Sequence, residues 1–252
     1  MDQWAYRNRF AKIHPLEKFI AAMGAMIFLL LWDKPMFQGI IFLTMTGMTV
    51  LGAKIPLRIY LKYLSIPFVF IIMTLLPILF GMYADSGQLL WSFPFANRWI
   101  GITYEGMSTA IGLFFRTMAA LSCLYFLALT TSMQDIIYLL EKLRFPSVFT
   151  ELMVLTYRFI FVFTNTAKTI YAAQSSRLGY HGFLRGLKSL SVLCSVLFLK
   201  AYMQSKALYQ ATLSRGYIGT FYRQLSERTL NVKRLIGICI LESLLFVLGG
   251  IL

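Results

Sequence analysis

Five stretches of this chain run apolar over most of a membrane's width: Phe19 to Trp32, Met36 to Ala53, Tyr63 to Tyr83, Met107 to Thr131 and Val232 to Leu252. No water-soluble core of 252 residues has room for that many such segments. In a bilayer every backbone N–H and C=O must be paired within the protein, so only helices and closed barrels can span. A barrel strand alternates apolar and polar residues, and these stretches are uniform. Helices follow. The chain is 58% hydrophobic and 13% charged, where soluble domains carry about 25% charged residues. The expected fold is therefore all-α: a polytopic membrane protein of about five transmembrane helices, joined by long amphipathic helices on the cytoplasmic side.

The basic residues orient these spans. Arg7, Arg9, Lys12 and Lys18 precede the first span; Lys54, Arg58 and Lys62 lie between the second and third. Most of the remaining Lys and Arg fall in 132–234. Only Lys34 and Arg98 lie on the other side, and Arg116 is inside a span. The expected arrangement is a multi-pass protein of the cell membrane with a cytoplasmic N-terminus and an outside C-terminus. Its parts are a four-span membrane region (1–131), a cytoplasmic helical region (132–231) and a last transmembrane helix (232–252).

The middle region has its own apolar stretches, near 148–163 and 187–203. As a spanning hairpin they would carry Arg177, Arg185 and Lys188 outside and leave Arg158 in mid-membrane, against the charge bias. Amphipathic helices lying under the membrane fit better, with seven spans as the alternative. Ser132 and Asp135 form an acidic capping box for a helix over Met133 to Leu143. Phe145-Pro146-Ser147 ends it, and helices over about 147–177 and 184–215 follow.

Those two helices end alike. The first closes on Ser176-Arg177-Leu178-Gly179 and the second on Ser214-Arg215-Gly216. Small residues precede each ending, and Gly permits a left-handed cap. An Arg held at the negative end of a rigid helix offers a five-donor fork suited to a carboxylate. A basic residue at one helix C-terminus is ordinary; two matched tips thirty-eight positions apart point to paired docking.

These paired endings resemble the two short Arg motifs of the transmembrane T component of energy-coupling-factor (ECF) transporters. Phe115-Arg116-Thr117 through Thr130-Thr131-Ser132, Leu143-Arg144-Phe145-Pro146 and Tyr157-Arg158-Phe159 are similar to that family in the same order. The family usually writes its motif Ala-Arg-Gly; here Ser stands for Ala twice and Leu178 interrupts the first copy. The opening, Asp2 to Arg9 and His14-Pro15-Leu16-Glu17-Lys18, resembles the cobalt-transport branch, CbiQ. The resemblance implies a non-catalytic subunit that joins two ABC ATPase subunits, which bind the ATP, to a membrane S component that captures substrate. It implies coupling through Ser176, Arg177, Gly179, Ser214, Arg215 and Gly216, presented by two helices crossing like an X. Cobalt is the expected cargo, with nickel or a vitamin as the alternative.

Other functions find less support. The ten acidic residues are scattered, so no catalytic carboxylate pair is evident. No internal repeat or polar-lined span suggests a separate channel or secondary transporter. His14 and His181 stand alone, without ligand spacing, so no metal site and no cofactor is expected in the chain. Gly182-Phe183-Leu184-Arg185-Gly186-Leu187-Lys188-Ser189 lacks the Walker spacing and reads as a helix start. Cys123, Cys194 and Cys239 read as small apolar residues. The net charge of +14 reflects inside-positive bias and attraction to anionic lipid, not nucleic-acid binding. Arg116 either snorkels outward or makes a polar contact in the bundle, with Glu242 as its possible mate.

Overall fold

The computed structural model describes residues 2–83, 89–95, 98–216 and 231–251. The helices are α1 (Asp2–Arg7), α2 (Pro15–Leu31), α3 (Pro35–Gly47), α4 (Leu57–Leu79), α5 (Tyr104–Thr130), α6 (Met133–Lys142), α7 (Ser147–Ser176), α8 (Phe183–Ser214) and α9 (Val232–Ile251). A 3-10 turn (Arg9–Lys12) follows α1, and a π-helical turn (Met48–Gly52) extends α3. The helical membrane architecture is as expected from the apolar runs, with boundaries within a few residues for most of them.

The chain forms two compact units. One comprises residues 1–135 with 227–252, the other residues 136–226. In the first, α5 is the central helix. Its buried residues Ala119, Cys123, Phe126 and Thr130 recur every three to four positions, one stripe of a helix. On one side they meet Ala21, Ala22, Ala25 and Leu29 of α2 and Phe37, Ile41 and Met45 of α3. On the other, Met118 and Leu129 pack with Tyr60, Leu64 and Ile71 of α4. The three alanines of α2 let it approach α5 closely, as helices in lipid require. Pro67 and Pro77 remain inside α4, a helix of 23 residues.

The end of α5 carries the most specific polar contact. A helix leaves its last four carbonyls without intrahelical partners. Lys18 Nζ donates to the Thr130 carbonyl at 2.8 Å, and Asn8 Nδ2 donates to the Leu129 carbonyl at 3.0 Å. Lys18 is 3% exposed. A buried ammonium is costly alone, but here it sits at the negative pole of a 27-residue helix. Asn8 Nδ2 also bonds the Trp4 and Ala5 carbonyls, which fixes α1 against the same end. Ser132 then opens α6: its N–H reaches Asp135 Oδ2 at 3.4 Å, and the Asp135 N–H reaches Ser132 Oγ at 3.3 Å. The expected capping box is present.

Three features differ from expectation. Beside the expected all-α fold, the link between α4 and α5 carries a small sheet. Gly81–Tyr83, Leu89–Phe95 and Arg98–Thr103 form an antiparallel sheet, β1, β2 and β3, in the order β1-β3-β2. Its Trp, Ile, Tyr and Phe content favours strands, and α4 ends at Leu79, short of the Tyr83 expected for the third span.

Arg116 does not pair with Glu242. Its Nη1 lies 2.7 Å from Asp33 Oδ1, in the α2–α3 link. Asp33 is largely exposed, so the pair is worth about 0–1 kcal/mol. Glu242 of α9 instead lies against Gly24 of α2, where a Cβ would collide with its Oε1.

The third difference concerns which helices are long and apolar enough to cross a membrane. Among the described residues five qualify: Pro35–Gly52, Leu57–Leu79, Tyr104–Thr130, Ser147–Ser176 and Phe183–Ser214. The number matches, but the set differs. α2, at 17 residues, and α9 are absent from it, while α7 and α8 are present. Yet α2 and α9 both contribute to the buried core around α5, through Leu29 and Leu245 among others.

Two stability measurements follow. Lys18→Met should lower the unfolding free energy in detergent by about 1–3 kcal/mol, because a buried carbonyl loses its donor; an unchanged unfolding midpoint would refute the capping role. Gly24→Ala should cost about 1–3 kcal/mol through overpacking. Adding Glu242→Ala should recover most of that loss, and failure of this rescue would show that Gly24 is not there to admit Glu242.

Candidate functional site: two arginine tips on a helical hairpin

The second unit contains α7 and α8, of 30 and 32 residues, so about 45 and 48 Å long. They form an antiparallel hairpin. Gln174 Nε2 donates to the Ser189 carbonyl at 3.1 Å, and Ser189 Oγ donates to the Gly179 carbonyl at 2.7 Å. Farther along, Ala167, Phe163 and Phe159 of α7 and Leu197, Ala201 and Ser205 of α8 line a shared groove of about 600 Å³.

The two arginines sit in matching backbone settings. Arg177 is the C-cap of α7, with φ −97° and ψ 19°; Arg215 is the C-cap of α8, with φ −95° and ψ 11°. The residue after each arginine is left-handed: Leu178 at φ +57° and Gly216 at φ +75°. After α7, the Leu178 N–H bonds the Ser175 carbonyl at 3.0 Å and the Gly179 N–H bonds the Gln174 carbonyl at 2.9 Å. That pair of bonds is a Schellman motif. After α8, the Gly216 N–H bonds the Leu213 carbonyl at 3.0 Å, the equivalent of the first of them. Both arginines are exposed.

The serines match as well. Ser176 Oγ donates to the Ala172 carbonyl at 2.9 Å, and Ser214 Oγ donates to the Gln210 carbonyl at 3.0 Å. Each hydroxyl folds back onto its own helix, four residues earlier. Outwardly, Ser therefore presents little more than the Ala of the usual motif.

The role of Gly179 differs from the one expected. The left-handed residue is Leu178, which bears the strain that Gly would avoid, about 1 kcal/mol. Gly179 is small for another reason: a Cβ there would come within 2.8 Å of the Gln174 carbonyl oxygen and of Ser189 Oγ. Sequence spacing alone could not reveal that approach, because Ser189 lies on the next helix. Sequence reasoning also missed Gln174, Tyr180 and Ser189, which brace the turn. Tyr180 hydroxyl donates to Gln174 Oε1 at 2.7 Å, and its ring lies 4.6 Å from that of Tyr171. Desolvation, with Tyr171 beside it, pushes the Tyr180 phenol above its ordinary value. It thus stays a protonated donor at cellular pH. The two arginines are not brought together. They stand at opposite ends of α8, about 48 Å of helix apart.

Residues 183–189 of the Walker-like run are helical, with Gly182 as the N-cap at φ +86°. Among the described residues no three His, Cys, Asp or Glu side chains gather. His14 caps α2, its Nδ1 accepting from the Leu16 N–H at 3.2 Å.

The comparisons with known proteins agree on one family. The family model of CbiQ, described as cobalt transport protein, matches residues 7–226. The chain is 30% identical over 222 residues to the cobalt transport protein CbiQ of Salmonella typhimurium, covering 88% of this chain and 98% of that one. It is 27% identical over 254 residues to the CbiQ of Rhodobacter capsulatus, covering 100% and 98% of the two chains. It is 28% identical over 221 residues to the energy-coupling factor transporter transmembrane protein EcfT of Ruminiclostridium cellulolyticum, covering 83% and 79%. With its apolar helices, its matched arginine caps and these relatives together, the chain belongs to the CbiQ family of cobalt transport proteins, multi-pass membrane components of the ECF transporter kind.

Proposed function

We propose that this chain is the coupling subunit of an ECF-type importer for cobalt ions, and that Arg177 and Arg215 are its contacts with two ATP-binding-cassette ATPase subunits. The observation that carries this is the equivalence of the two arginine caps: same backbone angles, same serine back-bond, opposite ends of one long helix. Two identical or similar ATPases would offer two like grooves, and a rigid rod with a like tip at each end suits such a pair. Each guanidinium extends from the negative end of its helix into a carboxylate-bearing groove, a charge-assisted contact. ATP binds to the ATPases, not to this chain. When they close, both tips move, and rods of this length carry that motion as a rigid body to a third membrane subunit, the S component, that captures the metal.

The surface of α7 and α8 supports the subunit reading. Their most apolar windows are only 6% buried, against 33% for that of α5. Such faces need lipid or protein to cover them. In this reading the N-terminus and the second unit face the cytoplasm and the C-terminus is outside. A spanning hairpin would instead carry Arg177, Arg185 and Lys188 across, against the charge bias.

Arg177→Glu and Arg215→Glu should each weaken ATPase capture in pull-downs by well over tenfold, since breaking one side of a buried charge pair costs about 2–5 kcal/mol. Cobalt uptake by the assembled complex should fall with it, while the fold survives because both side chains are exposed. Leu178→Gly should leave coupling intact, as it relieves the left-handed strain. Normal uptake by the Arg177→Glu/Arg215→Glu double variant would end the proposal. A cysteine placed at Arg177 should react with a membrane-impermeant reagent in inside-out vesicles only; labelling in right-side-out vesicles would favour the spanning hairpin.

A further inference from the structure

A second concave site lies in the membrane unit, at the end where α2 begins, α5 ends and α9 begins. It is a cavity of about 540 Å³. Four cations line it: Arg9 and Lys12 from the 3-10 turn and Arg234 from α9, all exposed, and the buried Lys18 of α2, which donates to the Thr130 carbonyl. Its deeper wall is apolar, including Phe126 of α5 and Leu241 of α9. Glu17, 2% exposed, lines it as well. Glu17 Oε1 accepts from the Asn231 N–H at 3.1 Å, but Oε2 is buried with no hydrogen-bond partner. A buried carboxylate oxygen left unsatisfied costs free energy that a bound donor would recover.

We infer that this cavity is a binding site for an anionic phospholipid with a hydroxyl-bearing headgroup, of the phosphatidylglycerol kind. The chemistry selects it on three counts. Four cations against one carboxylate favour net negative charge over a zwitterion, and basic pockets between helix ends at a membrane surface hold such headgroups. A headgroup hydroxyl supplies the donor that Glu17 Oε2 lacks. The Phe126 and Leu241 wall suits the start of an acyl chain and gives a soluble anion no benefit. The phosphodiester lies among Arg9, Lys12 and Arg234, and the glycerol hydroxyl points to Glu17. The site is independent of the arginine tips, so its test does not depend on coupling.

Native mass spectrometry of the full chain purified in mild detergent tests this, with lipids added singly. Phosphatidylglycerol should be retained about tenfold better than phosphatidylcholine, which tests charge. It should also exceed phosphatidylethanol, which has the same charge but no headgroup hydroxyl. Arg9→Ala/Arg234→Ala should abolish the preference over phosphatidylcholine. Glu17→Ala should erase only the preference over phosphatidylethanol, with circular dichroism confirming that each variant is folded. Retention of phosphatidylcholine equal to phosphatidylglycerol, or unchanged retention in Arg9→Ala/Arg234→Ala, would overturn the inference. So would competition by inorganic phosphate alone, which would mark a soluble-anion site.

Discussion

The carbonyl end of α5 is the contact on which the membrane unit depends. α5 supplies buried residues to both core clusters, and its last turn must stop without leaving polar groups in an apolar setting. Lys18 and Asn8 solve this from two different elements, by donating to Thr130 and Leu129. The solution is economical in sequence, because Lys18 is both a charge at the basic end of α2 and a cap for α5. It also explains how a Lys can be 3% exposed in a membrane protein: its charge meets a helix dipole and a carbonyl, not lipid.

The hairpin unit follows a different logic. Its helices bury little, and its precision is concentrated at the ends. Gln174, Tyr180 and Ser189 tie the turn through side chains that reach across it. The result is that Arg177 and Arg215 occur with φ values two degrees apart, although one is followed by Leu and the other by Gly. A backbone that keeps the same cap through a substitution costing about 1 kcal/mol is held there by its surroundings. At α7 those surroundings are the Ser189 hydroxyl and the close approach at Gly179.

Much of this was legible in the sequence, for a physical reason. Apolar runs must be helices in lipid, and caps are local, so the helices over 147–176 and 183–214 and the Ser132–Asp135 box could be read from neighbours in the chain. What could not be read depends on distant pairing. The mate of Arg116 is Asp33, set by where the α2–α3 link falls beside α5. Glu242, named as a possible mate of Arg116, lies instead against Gly24, with its Oε1 buried and without a hydrogen-bond partner. The sheet over 81–103 arises from pairing within a link whose strands are individually short. Leu178 appeared to interrupt the motif, yet it occupies the left-handed position itself.

Hydropathy alone also misranks the helices, and the reason bears on function. α2 is short for a span at 17 residues, yet Ala21, Ala25 and Leu29 are core, as is Leu245 of α9. α7 and α8 are long and apolar enough to span, yet almost none of their apolar surface is buried. An apolar helix can be apolar because it meets lipid or because it meets protein, and composition does not separate the two. Charge does. α9 has its Lys233 and Arg234 at its start and only Glu242 deeper, as a span tolerates. Along α7 and α8, Arg158, Lys168, Arg185, Lys188, Lys200 and Lys206 recur throughout. Helices with cations spaced along their whole length suit a surface between lipid headgroups and protein, which is where the coupling role proposed above would place them.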